Sequence, residues 1–279
     1  MSQPHLAQNA SAMHLFDRAI ALEPQASGLW RGHTSTDYAN MIGPFGGVTA
    51  ATALQALLIQ PERLGDPVAL TVNFAGPVRD GAFDVRVRLM RSSRSTQHWS
   101  VEIVQGDDCV INAIAVFALR RPTWSATEVV MPDVVAPETL PLVGNMMGVS
   151  WPQCYEMRFA RGGLRGVDGA GDNADSLTQL WISDKPPRAL DFASLTAICD
   201  AFFPRLFSRR AQMVPIGTIS LNIHFHVDAA TLAQQGSAPV LGVAQGQVFN
   251  LGFSDQVAQV WGTQGQLLAT SQQAVWFKE

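Results

Sequence analysis

The sequence is short of cysteine, long apolar runs and excess positive charge, and each shortage removes a class of protein. Its three cysteines, Cys109, Cys154 and Cys199, stand far apart and form no CxxC pair. That spacing argues against a disulfide framework or a cysteine zinc site and fits reduced, mostly buried thiols. No apolar run is long enough to span a membrane. The stretch from Met1 to Ala12 is polar, without the basic n-region and apolar h-region of a secretory signal. A cytoplasmic protein with no membrane span is therefore expected. The net charge is −4, the isoelectric point is about 5.8, and the basic residues form no stripe, so no nucleic-acid partner is expected. Neither a G-x-S-x-G elbow nor a P-loop is present. No cofactor and no metal are expected.

What the sequence does contain is a plan written twice. Its 279 residues are 47% hydrophobic and 15% charged, ample for a large core. Leu70-Thr71-Val72-Asn73-Phe74 in the first half reads like Leu221-Asn222-Ile223-His224-Phe225 in the second. Ala113 to Phe117 likewise reads like the run ending at Phe277. In the first half a Gly43-Pro44-Phe45-Gly46-Gly47 turn leads into a helix from about Gly47 to Ile59. Val48, Ala51, Leu54, Leu57 and Leu58 recur at helical spacing, and alanines fill the other faces, the mark of a buried helix. Strands follow at Val68–Phe74, Ala82–Ser92, Thr96–Gln105 and Cys109–Leu119, with a hairpin signal at Gly106-Asp107.

In the second half, Tyr155–Ala160 and Leu177–Ser183 read as strands. Leu195, Ile198, Cys199, Phe202 and Leu206 trace a helix that Pro204 should end or kink. Strands resume at Gly217–His226, Val240–Phe249, Ser254–Trp261 and Leu267–Phe277. The proline-rich stretch between the halves reads as a linker. The division expected is an arm over 1–27, a first unit over 28–120, a linker over 121–150 and a second unit over 151–279. His14 to Leu22 is expected to pack on the surface, and the acidic, glycine-rich run from Asp168 to Asp175 to form a hairpin tip. Each unit is an α+β plan, one curved antiparallel sheet around a buried helix. Two such sheets can pair edge to edge and so protect their exposed strands.

The helices differ in one respect. The first is small and neutral, whereas the second carries Asp200 among apolar neighbours. An aspartate there is costly without partners, which marks it for function.

Taken in order, these segments resemble the acyl-CoA thioesterase II family, which has two tandem hot-dog folds in one chain. The likeness runs over roughly residues 28–279. Phe45-Gly46-Gly47 entering an Ala/Leu-rich helix resembles the start of the first hot-dog helix. Cys199-Asp200-Ala201-Phe202-Phe203 resembles the segment with the family's catalytic aspartate. Gly217-Thr218-Ile219 resembles the strand with its catalytic threonine, and the closing run Gly265 to Gln273 resembles the strand whose catalytic glutamine falls on Gln273. Ser220, Leu221, His224, Ala274 and Val275 depart from the family's pattern around those positions.

The resemblance implies hydrolysis of acyl-CoA to a free acid and coenzyme A, with Asp200, Thr218 and Gln273 holding the attacking water. Gly46 and Gly47 would let the substrate approach the backbone at a helix start, where amide N–H groups polarise a carbonyl. It also implies an acyl-CoA partner and assembly into a homo-oligomer. Two other readings stand beside it. One is a non-catalytic acyl-CoA-binding protein; the other is a hot-dog enoyl-CoA hydratase, which normally wants a histidine beside the acid. His224 and His226 share a strand face as a metal pair would, but no third ligand is identifiable. Arg209-Arg210 and Arg91 to Arg94 read first as solvated surface.

Overall fold

The protein is described by a computed structural model covering residues 13–144, 148–163 and 172–279. The first half comprises α1 (Leu15–Ala19), β1 (Glu23–Ala26), β2 (Leu29–His33), α2 (Gly46–Leu58), β3 (Asp66–Phe74), β4 (Ala82–Ser92), β5 (Thr96–Gln105) and β6 (Asp108–Ala118). The second comprises β7 (Tyr155–Arg161), β8 (Thr178–Asp184), α3 (Phe192–Ile198), α4 (Arg205–Arg209), β9 (Ile216–Phe225), α5 (Ala229–Gln235), β10 (Val240–Gln245), β11 (Phe249–Asn250), β12 (Phe253–Trp261) and β13 (Leu267–Phe277).

The described strands form one 13-stranded sheet. Outward from its centre the first half runs β3-β6-β5-β4-β2-β1 and the second β9-β13-β12-β10-β8-β7, with β11 hairpinned onto β12. The two orders correspond strand for strand, which makes two tandem hot-dog folds of α+β class. The halves meet where β3 pairs antiparallel with β9. Leu70 faces Ile223, Thr71 faces Asn222 and Val72 faces Leu221, so the register is symmetric about the Thr71–Asn222 pair. There the Thr71 hydroxyl donates to Asn222 Oδ1 at 2.8 Å. This seam joins strands that would otherwise leave unpaired edges.

Strand alternation sends one face of each strand into the core. On β5 Gln97, Trp99, Val101 and Ile103 are buried while His98 and Glu102 are exposed. α2 is buried on nearly every side, as an all-apolar helix must be, and it packs against α3.

Several expectations need correction. The second helix does not run through to Leu206. α3 stops at Ile198, and α4 is a separate turn beginning after Pro204. The Asp200 N–H reaches back only to Ala197 O, at 3.1 Å, a tightened last turn that ends the helix. Asp200 therefore lies in the turn beyond α3. α5, which the strand pattern did not reveal, is capped by Asp228, whose carboxylate accepts from the Thr231 N–H at 2.8 Å. The strand expected over Val240–Phe249 is broken into β10 and β11.

The stretch between the halves has a docking site of its own. Met131, Val134 and Leu140 pack on Trp181, Leu241 and Trp261, and the Trp181 indole donates to Val135 O at 3.0 Å. The run expected to form a hairpin tip lies outside the described residues from Asp168 to Gly171.

α1 is not a surface element. Phe16 is fully buried against the Tyr38 ring. Arg188 of the second half lies 5.0 Å over the Phe16 ring and pairs with Asp17 at 2.7 Å. Phe16→Ala is expected to cost about 3–5 kcal/mol, read as a lower urea midpoint at unchanged slope.

Candidate active site

Asp200, Thr218 and Gln273 come from three separate stretches of the second half and meet in one hydrogen-bonded row. The Thr218 hydroxyl donates to Gln273 Oε1 at 3.2 Å, and Gln273 Nε2 donates to Asp200 Oδ1 at 2.8 Å. A carboxylate only accepts, so it orders the glutamine amide and through it the threonine.

Thr218 reaches this row because β9 carries a bulge. Leu221, Ile223 and Phe225 face the core, and simple alternation would send Thr218 to the opposite face. The register instead slips between Ala274 and Val275. Ser220 faces Ala274, Thr218 faces Val275, and Ile219 is left over, pushed to the surface at 36% exposure. Bulges re-aim side chains in this way and recur beside active sites. Gln273 needs no such help. On β13 it shares the inward face with Ser271 and Val275 and is 5% exposed.

Gly46 and Gly47 stand against Asp200 at the start of α2. A Cβ on Gly46 would come within 2.7 Å of Asp200 Oδ2, and one on Gly47 within 2.6 Å of Ala197 O. Their bareness admits the carboxylate and the end of α3. The residue preceding α2, Phe45, supplies no side-chain cap, and the Asp200 carboxylate from the other half stands close to this first turn. Burial pushes the Asp200 pKa up from 3.8 to about 7, against the opposing pull of hydrogen bonds from Gln273 and the Gly47 N–H. A carboxyl poised near neutrality can take up a proton and release it again.

Among the described residues the side chain that hydrogen-bonds Asp200 is Gln273, an amide and not a histidine. His226 lies just beyond β9, with its Nε2 at 3.0 Å from the Thr270 hydroxyl. Among the described residues no three metal-ligating side chains cluster, and no helix is long and apolar enough to cross a membrane. Arg210 pairs with Asp172 and Glu279.

Sequence reasoning passed over one further residue. Gln256 on β12 stands directly opposite Gln273 and is only 2% exposed. Among the described residues its Nε2 has no hydrogen-bond partner. The available signal was its phase, since it shares the inward face with Ala258 and Val260.

Two family models cover most of the chain. The acyl-CoA thioesterase N-terminal domain matches residues 35–118 and the acyl-CoA thioesterase C-terminal domain matches residues 132–277. The chain belongs to the acyl-CoA thioesterase family. As a member it is a thioester hydrolase. No curated protein matches the chain. A conserved hot-dog-fold protein of unknown function from Alicyclobacillus acidocaldarius is similar at 42% identity, over 96% of this chain and 99% of that one, with a TM-score of 0.90. The acyl-CoA thioesterase II TesB2 from Mycobacterium marinum shares the fold at 16% identity, over 94% of this chain and 98% of that one, with a TM-score of 0.72. The dehydratase domain of RzxB from Pseudomonas fluorescens also shares it, at 14% identity over 95% and 100% of the two chains, with a TM-score of 0.54. Likeness that distant carries the fold alone, so the assignment to the family rests on the matched domains.

The raised pKa of Asp200 has a consequence for this thioesterase's stability. Between about pH 4 and pH 7 the folded state holds a proton that the unfolded chain has released, so stability falls as pH rises through that window and levels off above it. The slope approaches ~1.4 kcal/mol per pH unit. Asp184, also buried with its pKa raised, adds a slope of the same sign. The difference between wild type and Asp200→Asn isolates the Asp200 contribution. The variant is expected to gain on wild type as pH rises from 5 to 8, as measured by urea unfolding.

Proposed function

We propose that the protein hydrolyses acyl-CoA thioesters to a free acid and coenzyme A, with water activated by Asp200 and positioned by Thr218 and Gln273. The observation that carries this reading is the Thr218–Gln273–Asp200 row, in which every donor points toward the acid. With Oδ1 taken by Gln273, Oδ2 remains to accept from water. Thr218 Oγ, having given its proton to Gln273, accepts from the same water through its lone pairs.

In this mechanism the water oxygen attacks the thioester carbonyl carbon while its proton passes to Asp200. The carbon–sulfur bond then breaks and the pantetheine sulfur leaves as a thiolate. A thiol has an ordinary pKa of roughly 8.5, so the leaving group needs no strong acid, and the proton returned by Asp200 suffices. Gly46 and Gly47 keep this corner open to the carboxylate and to the incoming thioester alike. The acyl chain lies in the apolar interior along the two helices.

A cleft of about 520 Å³ lies at the surface near the end of β13. Leu206, Phe249 and Phe277 line it together with Arg209 and Arg210. Phe277 lies farther along β13, in phase with Gln273 and Val275. Cytoplasmic location and assembly into a homo-oligomer belong to the same reading.

The test is coenzyme A release, followed with a thiol reagent, over short, medium, long and aromatic acyl-CoAs. Only ionised Asp200 can take the proton from water, so kcat/KM is expected to rise with pH to a plateau, half-maximal near pH 7. Asp200→Asn is expected to lower the rate by about 10²–10⁴-fold with the fold intact. An unchanged rate in that variant would remove Asp200 from the mechanism, and no release from any acyl-CoA would favour a binding protein.

A further inference from the structure

The donors accounted for so far all serve the water. Thr218 donates to Gln273, and Gln273 donates to Asp200. Attack on a thioester also builds negative charge on the carbonyl oxygen, and that oxygen needs a donor aimed at it from a site that excludes water. The first turn of α2 is one source of donors, but the Asp200 carboxylate already stands against it at Gly46.

Gln256 meets the need. Residues directly opposite on antiparallel strands project to the same face, with Cβ atoms about 5 Å apart. Gln256 faces Gln273 in this way, so it stands next to Gln273 on the strand away from Thr218. It is 2% exposed, yet its Nε2 has no partner among the described residues. A buried donor left unpaired is costly, and one retained beside an active carboxylate calls for a reason.

The duplicated scaffold sharpens the point. Because the seam is symmetric about Thr71 and Asn222, Leu70 corresponds to Leu221. Leu70 faces Ala115, which faces Trp99. Leu221 faces Gln273, which faces Gln256. The half without the acid fills these two places with alanine and with a tryptophan whose indole N–H is satisfied by Gln97 at 3.2 Å. The half with the acid fills both with amides and leaves one of them unpaired.

We propose that Gln256 is a further catalytic residue, donating its free amide N–H to the carbonyl oxygen of the bound thioester. As the water oxygen bonds to the carbonyl carbon, the C=O π pair moves onto oxygen and is held there by Gln256. Collapse re-forms the carbonyl and expels the thiolate, while the water's proton travels through Asp200 to the sulfur. This inference rests on the thioesterase reading above.

Steady-state hydrolysis of straight-chain and oxygen-substituted acyl-CoAs tests it, with wild type beside Gln256→Met and with urea unfolding of both. Methionine keeps the shape and removes the donor. The expected result is a fall in kcat of about 10²–10³-fold with KM little changed. The fall should be equal across acyl groups, and the unfolding midpoint should be unchanged or higher because an unpaired buried amide has gone. A purely structural glutamine would instead lose activity and stability together, which would overturn the proposal. So would an unchanged kcat, a rise in KM alone, or a loss confined to oxygen-substituted acyl groups. Gln256→Leu, which is apolar and has no donor, carries the same expectation should the methionine variant fail to fold. Full activity in Gln256→Met beside loss in Asp200→Asn would sink this inference and leave the thioesterase reading standing. No hydrolysis by wild type would sink both.

Discussion

The antiparallel ladder between β3 and β9 is the constraint on which the rest of the molecule depends. Each half carries a helix on the concave face of its own sheet, and the site needs parts of both halves. Pairing the two edge strands about Thr71 and Asn222 fixes the relation of one sheet to the other. It thereby brings the first turn of α2 against the turn that follows α3. Move that register and Asp200 loses the glycine-lined corner that receives it. The ladder also removes the exposed edge each half would otherwise present.

At that corner two needs are met by one contact. The first turn of any helix leaves N–H groups without partners, and the residue preceding α2 offers no cap. Asp200 needs donors to be tolerated inside an apolar interior. Gly46 and Gly47 let the two approach closely enough to answer each other. Because desolvation still outweighs those donors, the carboxyl remains near neutrality rather than firmly ionised. A stronger set of hydrogen bonds would stabilise the anion and bring its pKa down. The asymmetry of the duplicated scaffold follows the same logic. Ala115 and Trp99 pack the place that Gln273 and Gln256 occupy across the seam, so one half serves as packing and cap while the other presents polar groups.

Much of this was legible in the residues. The alternation over Ala82–Ser92 and Thr96–Gln105 gave strand and inward face together, and the Ala/Leu run after Gly46-Gly47 announced a buried helix. Asp200 stood out as an acid among apolar neighbours. Among the features that were hidden, three have a definite reason. Phe16 read as surface because a short helix has too few turns for a clear periodic signal. The end of α3 was masked because Cys199, Phe202 and Leu206 continue the apolar spacing past the point where the backbone turns away. Gln256 looked like any polar strand residue until its phase was set by the pairing with β13.

The sequence by itself determined the duplicated plan, the strand and helix types, and the residue set from which the site is drawn, because these depend on local periodicity and on side-chain chemistry. It also set the acid in only one of the two halves. Tertiary structure alone decided which of those residues meet. A strand's alternation would turn Thr218 outward, and the bulge at Ile219, defined only by pairing with β13, turns it in. The poise of Asp200 likewise depends on the surroundings that the other half supplies, since a pKa is set by burial and donors rather than by the identity of the residue.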